Sequence, residues 1–264
     1  MTLGFIGLGN MAKAMIGGIL QEGLMGPNEI IGSAHTEATC LKVANKYGIQ
    51  TRNSNEAVAK EADIIVLAVK PQYLKVVIAD IMDSVDDSKI IVSIAAGKTI
   101  NWIADEFEKP IKIIRVMPNT PALVGEASSA VCRNDLVSDD DFQFVIELLE
   151  SFGKAYTVPE SLMDVVVGVS GSSPAYVFLF IEAMADAAVA GGMPRKQAYE
   201  FAAQAVLGSA KMVLETGKHP GELKDMVCSP AGTTIEAVKV LEENGFRGIV
   251  MDAVSACIDK SRSL

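Results

Sequence analysis

Leu3-Gly4-Phe5-Ile6-Gly7-Leu8-Gly9-Asn10-Met11-Ala12 decides the fold. A short apolar run leads straight into Gly-x-Gly-x-x-Ala. The run reads as a buried strand, and Asn10 to Glu22 reads as the helix that follows it. Between them Gly7 makes the tight turn and Gly9 lets the backbone approach a pyrophosphate. Ala12 is small enough for the helix to pack on the strand. The first amides of a helix have no partner within it and carry the positive end of its dipole, so an anion fits there. A bare glycine pattern is weak evidence. Strand before and helix after are the context that gives it meaning. The segment predicts a dinucleotide site at Gly7, Leu8, Gly9, Asn10 and Met11.

The residues downstream extend that reading. Strands are predicted at Glu29–Ser33, Ile64–Val69, Ile90–Ile94 and Ile111–Met117, each a β-branched run ended by glycine, proline or small polar residues. Uninterrupted apolar strands separated by helices indicate a mostly parallel sheet covered on both faces. Ala127–Cys132 and Ala155–Val158 read as late strands flanking a helix at Ser138–Ser151. After Val158 only helical pattern remains, punctuated at Ser173-Pro174, Gly191-Gly192-Met193-Pro194, Gly217-Lys218-His219-Pro220 and Gly245. The fold class is therefore α/β, a Rossmann-type doubly wound sheet over residues 1–158 followed by an all-α domain over 159–264. Helix Pro174–Ala190 is apolar on nearly every side. A helix of that kind is normally buried all round, and about a hundred residues cannot surround it alone, so a partner subunit is implied.

The 264 residues carry 33 acidic and 23 basic side chains, a formal charge of −10. That balance argues against nucleic acid or an anionic membrane surface as partner. The chain starts directly in a strand without a basic-then-apolar leader, and its apolar run Ala175–Ile181 is broken by Glu182 and Asp186, so no membrane span is expected. Cys40, Cys132, Cys228 and Cys257 lie far apart with no histidine at ligand spacing. They read as free thiols in a reducing cytoplasm, with no metal site. Gly168-Val-Ser-Gly-Ser172 resembles a nucleophile elbow on paper, but the strand it would need is missing.

Ligands of open parallel sheets bind beyond the carboxyl ends of the strands. NAD specificity usually rests on an acid after the second strand, gripping the ribose hydroxyls. This chain has Ser33, His35 and Thr36 there. Removing the carboxylate removes repulsion against a 2′-phosphate, which favours NADP; no arginine completes the argument, and NADH use stays open. His35 either helps hold the phosphate or is a solvated loop residue. Lys70 could be catalytic, solvated or a cofactor contact; contact through the backbone of Ala68, Val69 and Lys70 is preferred. With no strong acid evident, a reductase of this kind suits a protonated imine, whose positive carbon accepts hydride.

The chain resembles the pyrroline-5-carboxylate reductases nearly end to end. The segments that carry the resemblance are Gly-Phe-Ile-Gly-Leu-Gly-Asn-Met-Ala (4–12), Leu-Ala-Val-Lys-Pro-Gln (67–72), Ser-Ile-Ala-Ala-Gly (93–97), Arg-Val-Met-Pro-Asn-Thr-Pro (115–121) and Gly-Val-Ser-Gly-Ser-Ser-Pro-Ala-Tyr (168–176). The most specific is Ser229-Pro-Ala-Gly-Thr-Thr-Ile-Glu-Ala-Val238, with Leu241-Glu242 and Gly245-Phe246-Arg247. The resemblance implies NADPH-dependent reduction of L-1-pyrroline-5-carboxylate to L-proline. It also implies a helical dimerisation domain, an active site shared between two subunits, and rings of dimers. By position, Gly232, Thr233 and Thr234 would offer amides to the substrate carboxylate. Thr234 would hydrogen-bond the ring nitrogen and is the catalytic candidate, although from the residues alone it reads as a plain N-cap. Glu160 matches a position near the substrate, and Asn55 and Ala96 match positions that touch the cofactor. The family often has glycine where this chain has Ser173 and Ala231. Two other readings compete: a β-hydroxyacid dehydrogenase, which would need a catalytic lysine on a helix after its glycine-rich turn, and a non-catalytic NADP-sensing module, which would not need Ser229–Thr234.

Overall fold

The computed structural model describes residues 1–263. It divides into two compact units, Met1–Ser172 together with the end of the chain from Cys257, and Ser173–Ala256. The first holds eight strands: β1 Leu3–Ile6, β2 Ile30–Ser33, β3 Gln50–Thr51, β4 Ile64–Leu67, β5 Ile90–Ser93, β6 Lys112–Met117, β7 Ala127–Arg133 and β8 Gly153–Thr157. They form one sheet in the order β3-β2-β1-β4-β5-β6-β7-β8. All neighbours run parallel except β6 and β7, which are antiparallel. The first six positions follow the doubly wound dinucleotide-binding order. The two-residue β3 is an edge strand whose sequence, Gln50-Thr51, carries no apolar signal.

Helices α1 Asn10–Gln21, α2 Glu37–Tyr47, α3 Asn55–Glu61, α4 Leu74–Ile81, α5 Ile100–Phe107 and α6 Asp139–Glu150 cover the sheet. Side chains alternate across it, as strand geometry requires. Leu3, Phe5, Ile30, Val66 and Ile114 face a core with Ile16 and Ile19 of α1 and Leu148 and Leu149 of α6. Ile6, Ile31, Ile65, Leu67 and Ile113 face a second core with Val58, Ile78 and Ile103 of α3, α4 and α5. Both faces are thus sealed, which is why these strands read as continuous apolar runs.

The first unit runs past Val158 for a physical reason. Helix α7 Met163–Val166 buries Met163 completely in the second core. The returning chain end is tied to it, Ser261 Oγ donating to Asp164 Oδ1 at 2.6 Å and Cys257 Sγ lying 3.2 Å from Ser172 Oγ. Between α7 and the next helix sits a π-helical turn, Val167–Gly171. Ser170 lies in that turn with its hydroxyl donating to Val166 O at 3.2 Å, so no strand-borne nucleophile elbow forms.

The second unit contains α8 Ser173–Ala190, α9 Arg195–Thr216, α10 Pro220–Val227, α11 Thr233–Glu243 and most of α12 Phe246–Arg262. Gly192, at φ +97°, turns the chain between α8 and α9. Little of this unit is buried. Within α8 only Ala185 is, while Phe178 and Leu179 are 63% and 66% exposed; Leu214 of α9 and Met251 of α12 reach 77% and 69%. The helical run Glu160–Ala190 is long and apolar enough, by length and composition, to cross a membrane. The short-run argument from Ala175–Ile181 did not anticipate this, because the helical turns from Glu160 to Gly171 run on into α8 and join their apolar residues to it. A helix built to meet a second protein surface has the same composition.

Close approach makes one helical glycine essential to this packing. A Cβ on Gly18 of α1 would lie 2.6 Å from Phe152 Cβ and 2.9 Å from Ser151 O. In an open helix Gly→Ala gains about 1 kcal/mol. Here backbone must move, and overpacking of that kind costs about 1–3 kcal/mol. Gly18→Ala is therefore expected to lower the urea unfolding midpoint, reversing the sign that helix propensity alone would give.

Candidate active site

The turn after β1 is built as a phosphate cradle. Gly7 adopts φ +97°, and a Cβ there would sit 2.8 Å from Ala68 O. Gly9 faces open space, so nothing of the protein blocks a ligand above it. It also starts α1 without a side-chain cap. The contrast with its neighbours is informative. Thr36, Ser54, Thr99 and Ser138 each accept a backbone hydrogen bond at the starts of α2, α3, α5 and α6. The α1 amides are left for something else, and an anion is what such a terminus favours. Leu8 is 2% exposed and packs beneath Gly32, so only its backbone faces the cradle.

Two clefts meet at this turn along the carboxyl edge of the sheet. One, of about 680 Å³, is walled by Gly7, Ser33, His35, Asn55 and Val69 among the expected residues. The other, of about 390 Å³, is walled by Gly9, Asn10, Met11, Ala68, Val69 and Lys70. They share Val69. The carboxyl ends of β1, β2 and β4 thus bring nearly all the expected cofactor residues together. Leu8 and Ala96 line neither cleft; Ala96 lies beyond the end of β5, after Ser93 Oγ accepts from Ala95 N. Missing from the sequence reading are Tyr73, Val76 and Asp80, which wall the larger cleft from α4 and the turn before it. Their spacing of three and four residues marks one helix face. Pro118, Asn119 and Gly171 complete the smaller cleft. Asn119 is buried there, donating to Ser170 O at 3.0 Å and accepting from Ser128 N at 2.9 Å. It fixes the π-helical turn against β7. The cradle, its open helix start and the adjoining clefts fit a dinucleotide.

The second feature lies in the helical unit. Gly232 caps α11 with no side-chain hydrogen bond, and its own amide donates to Ser229 O at 3.0 Å. A Cβ at Gly232 would lie 2.3 Å from Ser229 Oγ and 3.1 Å from Ser229 O, so a side chain there would displace the Ser229 hydroxyl. Thr234 is the second residue of the helix, not its cap, and the N-cap reading of it fails. Thr233 and Thr234 form the first turn of α11, where a helix leaves its amides without an intrahelical partner, while the amide of Gly232 is already engaged. Ala231 has φ +55°, the left-handed region that disfavours a side chain.

Glu160 has a different setting. Its Oε1 accepts from Ile100 N at 2.7 Å, capping α5, and from Arg115 Nη1 at 3.0 Å. Arg115 is 5% exposed, so its charge depends on this partner. Burial first, and then the same carboxylate, push the buried Cys132 thiol up to about 11. That keeps Cys132 protonated and inert at neutral pH. All four cysteines are free, and among the described residues no group of three His, Cys, Asp or Glu could hold a metal ion. His219 Nδ1 accepts from Gly221 N at 3.0 Å at the start of α10.

Comparison with known proteins decides between the remaining readings. Residues 160–264 match the family model described as pyrroline-5-carboxylate reductase dimerisation, and residues 2–97 match the one described as NADP oxidoreductase, coenzyme F420-dependent. The pyrroline-5-carboxylate reductase of Escherichia coli K12 is 53% identical over 262 residues, covering 99% of this chain and 97% of the relative. The chain belongs to the pyrroline-5-carboxylate reductase family. The reductase of Arabidopsis thaliana is 43% identical, covering 99% of this chain and 95% of that one. A pyrroline carboxylate reductase of Plasmodium falciparum, solved with NADP bound, superposes with a TM-score of 0.91 at 35% identity, covering 100% of this chain and 97% of that one. The protein is accordingly an NADP-using oxidoreductase that reduces pyrroline-5-carboxylate in the last step of proline synthesis. The hydroxyacid-dehydrogenase and sensor readings fall away.

Two outcomes test this geometry. Removing the Glu160 carboxylate with Glu160→Ala strands a buried guanidinium, and breaking such a pair costs about 3 kcal/mol; chemical denaturation should show that loss. Ala231→Gly relieves the left-handed strain and should gain up to about 1 kcal/mol in the same measurement.

Proposed function

We propose that the two features described above are the two halves of the reductase site. The Gly7–Met11 turn would hold the pyrophosphate of NADPH on the open α1 amides. Ser33, His35 and Asn55 would hold the adenosine end in the larger cleft, and the backbone of Ala68–Lys70 the nicotinamide side in the smaller one. Bound there, the cofactor supplies a hydride to the imine carbon of L-1-pyrroline-5-carboxylate.

The remaining work falls to the chain itself. Thr233 and Thr234 offer unpaired helix amides to the substrate carboxylate, where the dipole adds to the hydrogen bonds. The Thr234 hydroxyl meets the ring nitrogen and orients the C=N bond; hydride turns a protonated imine directly into the neutral amine, and for an unprotonated one the hydroxyl relays a proton from water to the nitrogen and is itself restored. The Gly232–Ser229 hydrogen bond keeps this turn in shape rather than touching the substrate. Glu160 acts through the fold, holding α5 and Arg115. Catalysis on this reading is chiefly positioning and fixed electrostatics. The observation that carries it is the α11 start, uncapped by any side chain and preceded by the left-handed Ala231.

The exposed apolar faces of α8, α9 and α12 support a homodimer through the helical unit, with the substrate loop of this chain or its partner completing the site. Rings of such dimers and a cytoplasmic location extend the same proposal. The acidic balance of the chain disfavours a membrane as the cover for α8.

Thr234→Ala tests the mechanism. The variant should fold, bind NADPH with wild-type affinity, and lose about 100-fold or more in kcat, the scale of a positioned proton donor. The measurement is NADPH consumption at 340 nm with pyrroline-5-carboxylate, repeated with NADH. Undiminished kcat removes Thr234 from the chemistry.

A further inference from the structure

The adenosine cleft contains a carboxylate that the sequence pattern did not reveal. Asp80 stands on α4, and its Oδ2 accepts from Asn55 Nδ2 at 3.2 Å. On the other side, Ser33 Oγ donates to Asn55 Oδ1 at 2.8 Å. Ser33 is buried at the end of β2, and all three residues wall the same cleft. The chain of bonds has one consistent direction. A carboxylate only accepts, so the amino end of the Asn55 amide must face Asp80. Its carbonyl end is then taken by Ser33. One amide N–H remains, and it is left for the cleft.

We infer that Asp80 is a positioning residue for the cofactor: by holding Asn55 it aims that last N–H at the oxygen on the 2′ carbon of the adenosine ribose. This rests on the reading above, in which the larger cleft takes the adenosine end. The 2′ oxygen belongs to a hydroxyl in NADH and to a phosphate in NADPH; in either case it accepts. No lysine or arginine walls this cleft, whose sole basic side chain is His35. Arg52, next to the cleft residue Asn53, is held by Glu61 and Gln50 instead. Recognition of the ribose therefore depends on neutral donors, and the orientation of a single amide carries weight that a cation would otherwise carry. Asp80 also explains how a cleft can contain an acid and still serve NADP: the carboxylate is spent on Asn55.

A double-mutant cycle on dissociation constants tests this without turnover. NADPH and NADH are titrated calorimetrically into wild type, Asp80→Ala, Asn55→Ala and the double variant. Loss of one aimed hydrogen bond weakens binding roughly threefold to tenfold. Asp80→Ala should do so, and in the Asn55→Ala background it should add nothing, because its only route to the cofactor is gone. Asp80→Asn, which keeps an acceptor oxygen at the same reach, should recover part of the loss. A loss confined to NADPH assigns the N–H to the phosphate, and an equal loss for both assigns it to the hydroxyl. Tighter NADPH binding by Asp80→Ala would mean that the carboxylate repels the phosphate, and an additive cycle would mean that it acts without Asn55; either overturns the inference alone. A wild type that binds neither cofactor would overturn the underlying cofactor reading with it.

Discussion

Everything on the Rossmann side depends on how closely two backbones pass. The turn after β1 crosses the end of β4 so tightly that a side chain on Gly7 would lie 2.8 Å from Ala68 O. That approach puts the start of α1 and the Ala68–Lys70 segment on one edge, and the two clefts open on either side of it. A larger residue would separate β1 from β4 where they part, and both clefts would lose a wall at once. The packing behind the turn is equally intolerant: a Cβ on Gly4 would meet Ala62 Cβ at 2.7 Å and Val58 Cγ1 at 2.8 Å, so α3, which carries Asn55, also depends on a small residue in β1. The turn at Gly7 and the larger cleft are thus two consequences of a single strand's composition.

The helical unit is governed by the opposite constraint, too little cover. Its helices expose leucine, phenylalanine, isoleucine and methionine over several faces, beyond the scattered exposure normal on a monomer surface. Solvating that much apolar surface opposes folding, and burying it against a second copy favours it at about 25 cal/mol per Å². Stability of this unit and assembly of the protein are therefore one equilibrium. The proposed substrate loop 229–234 belongs to the same unit, so its left-handed Ala231 is maintained by a fold whose apolar surface calls for a partner.

What could be read from the sequence follows from these physics. Buried parallel strands are forced to be apolar throughout, so Ile64–Leu67 and Ile90–Ser93 announce themselves, and their carboxyl ends point to the site. The walls contributed by α4 do not. Tyr73, Val76 and Asp80 alternate with core residues Leu74, Val77 and Ile78, and a helix face turned to a ligand has the same pattern as one turned to water. Glu160 was assigned by resemblance to the neighbourhood of the substrate; its bonds to Ile100 and Arg115 come from strands and helices far apart in sequence, which no local pattern encodes. The paired Gly232 amide is similar, since only the closed turn shows that Ser229 O takes it. The strain at Ala231 could be anticipated, because a methyl stood where the loop needs glycine's freedom.

Charge follows the same economy as packing. The chain is strongly acidic, yet it must hold an anionic cofactor and an anionic substrate. On the proposed reading it does so with partial charges: open amides at the starts of α1 and α11, and neutral side chains such as Ser33 and Asn55 in the larger cleft. Formal cations near the cofactor edge are few, and Arg115 and Arg52 are each committed to a carboxylate. Backbone donors have an advantage here. They are fixed by the helix, they need no counter-charge, and they stay in place when the ligands leave. A lysine or arginine in the larger cleft, whose walls have neither, would bind the negative groups more tightly in every redox and protonation state. Helix termini bind them with direction, which is what a hydride donor and an imine must share if they are to meet in register.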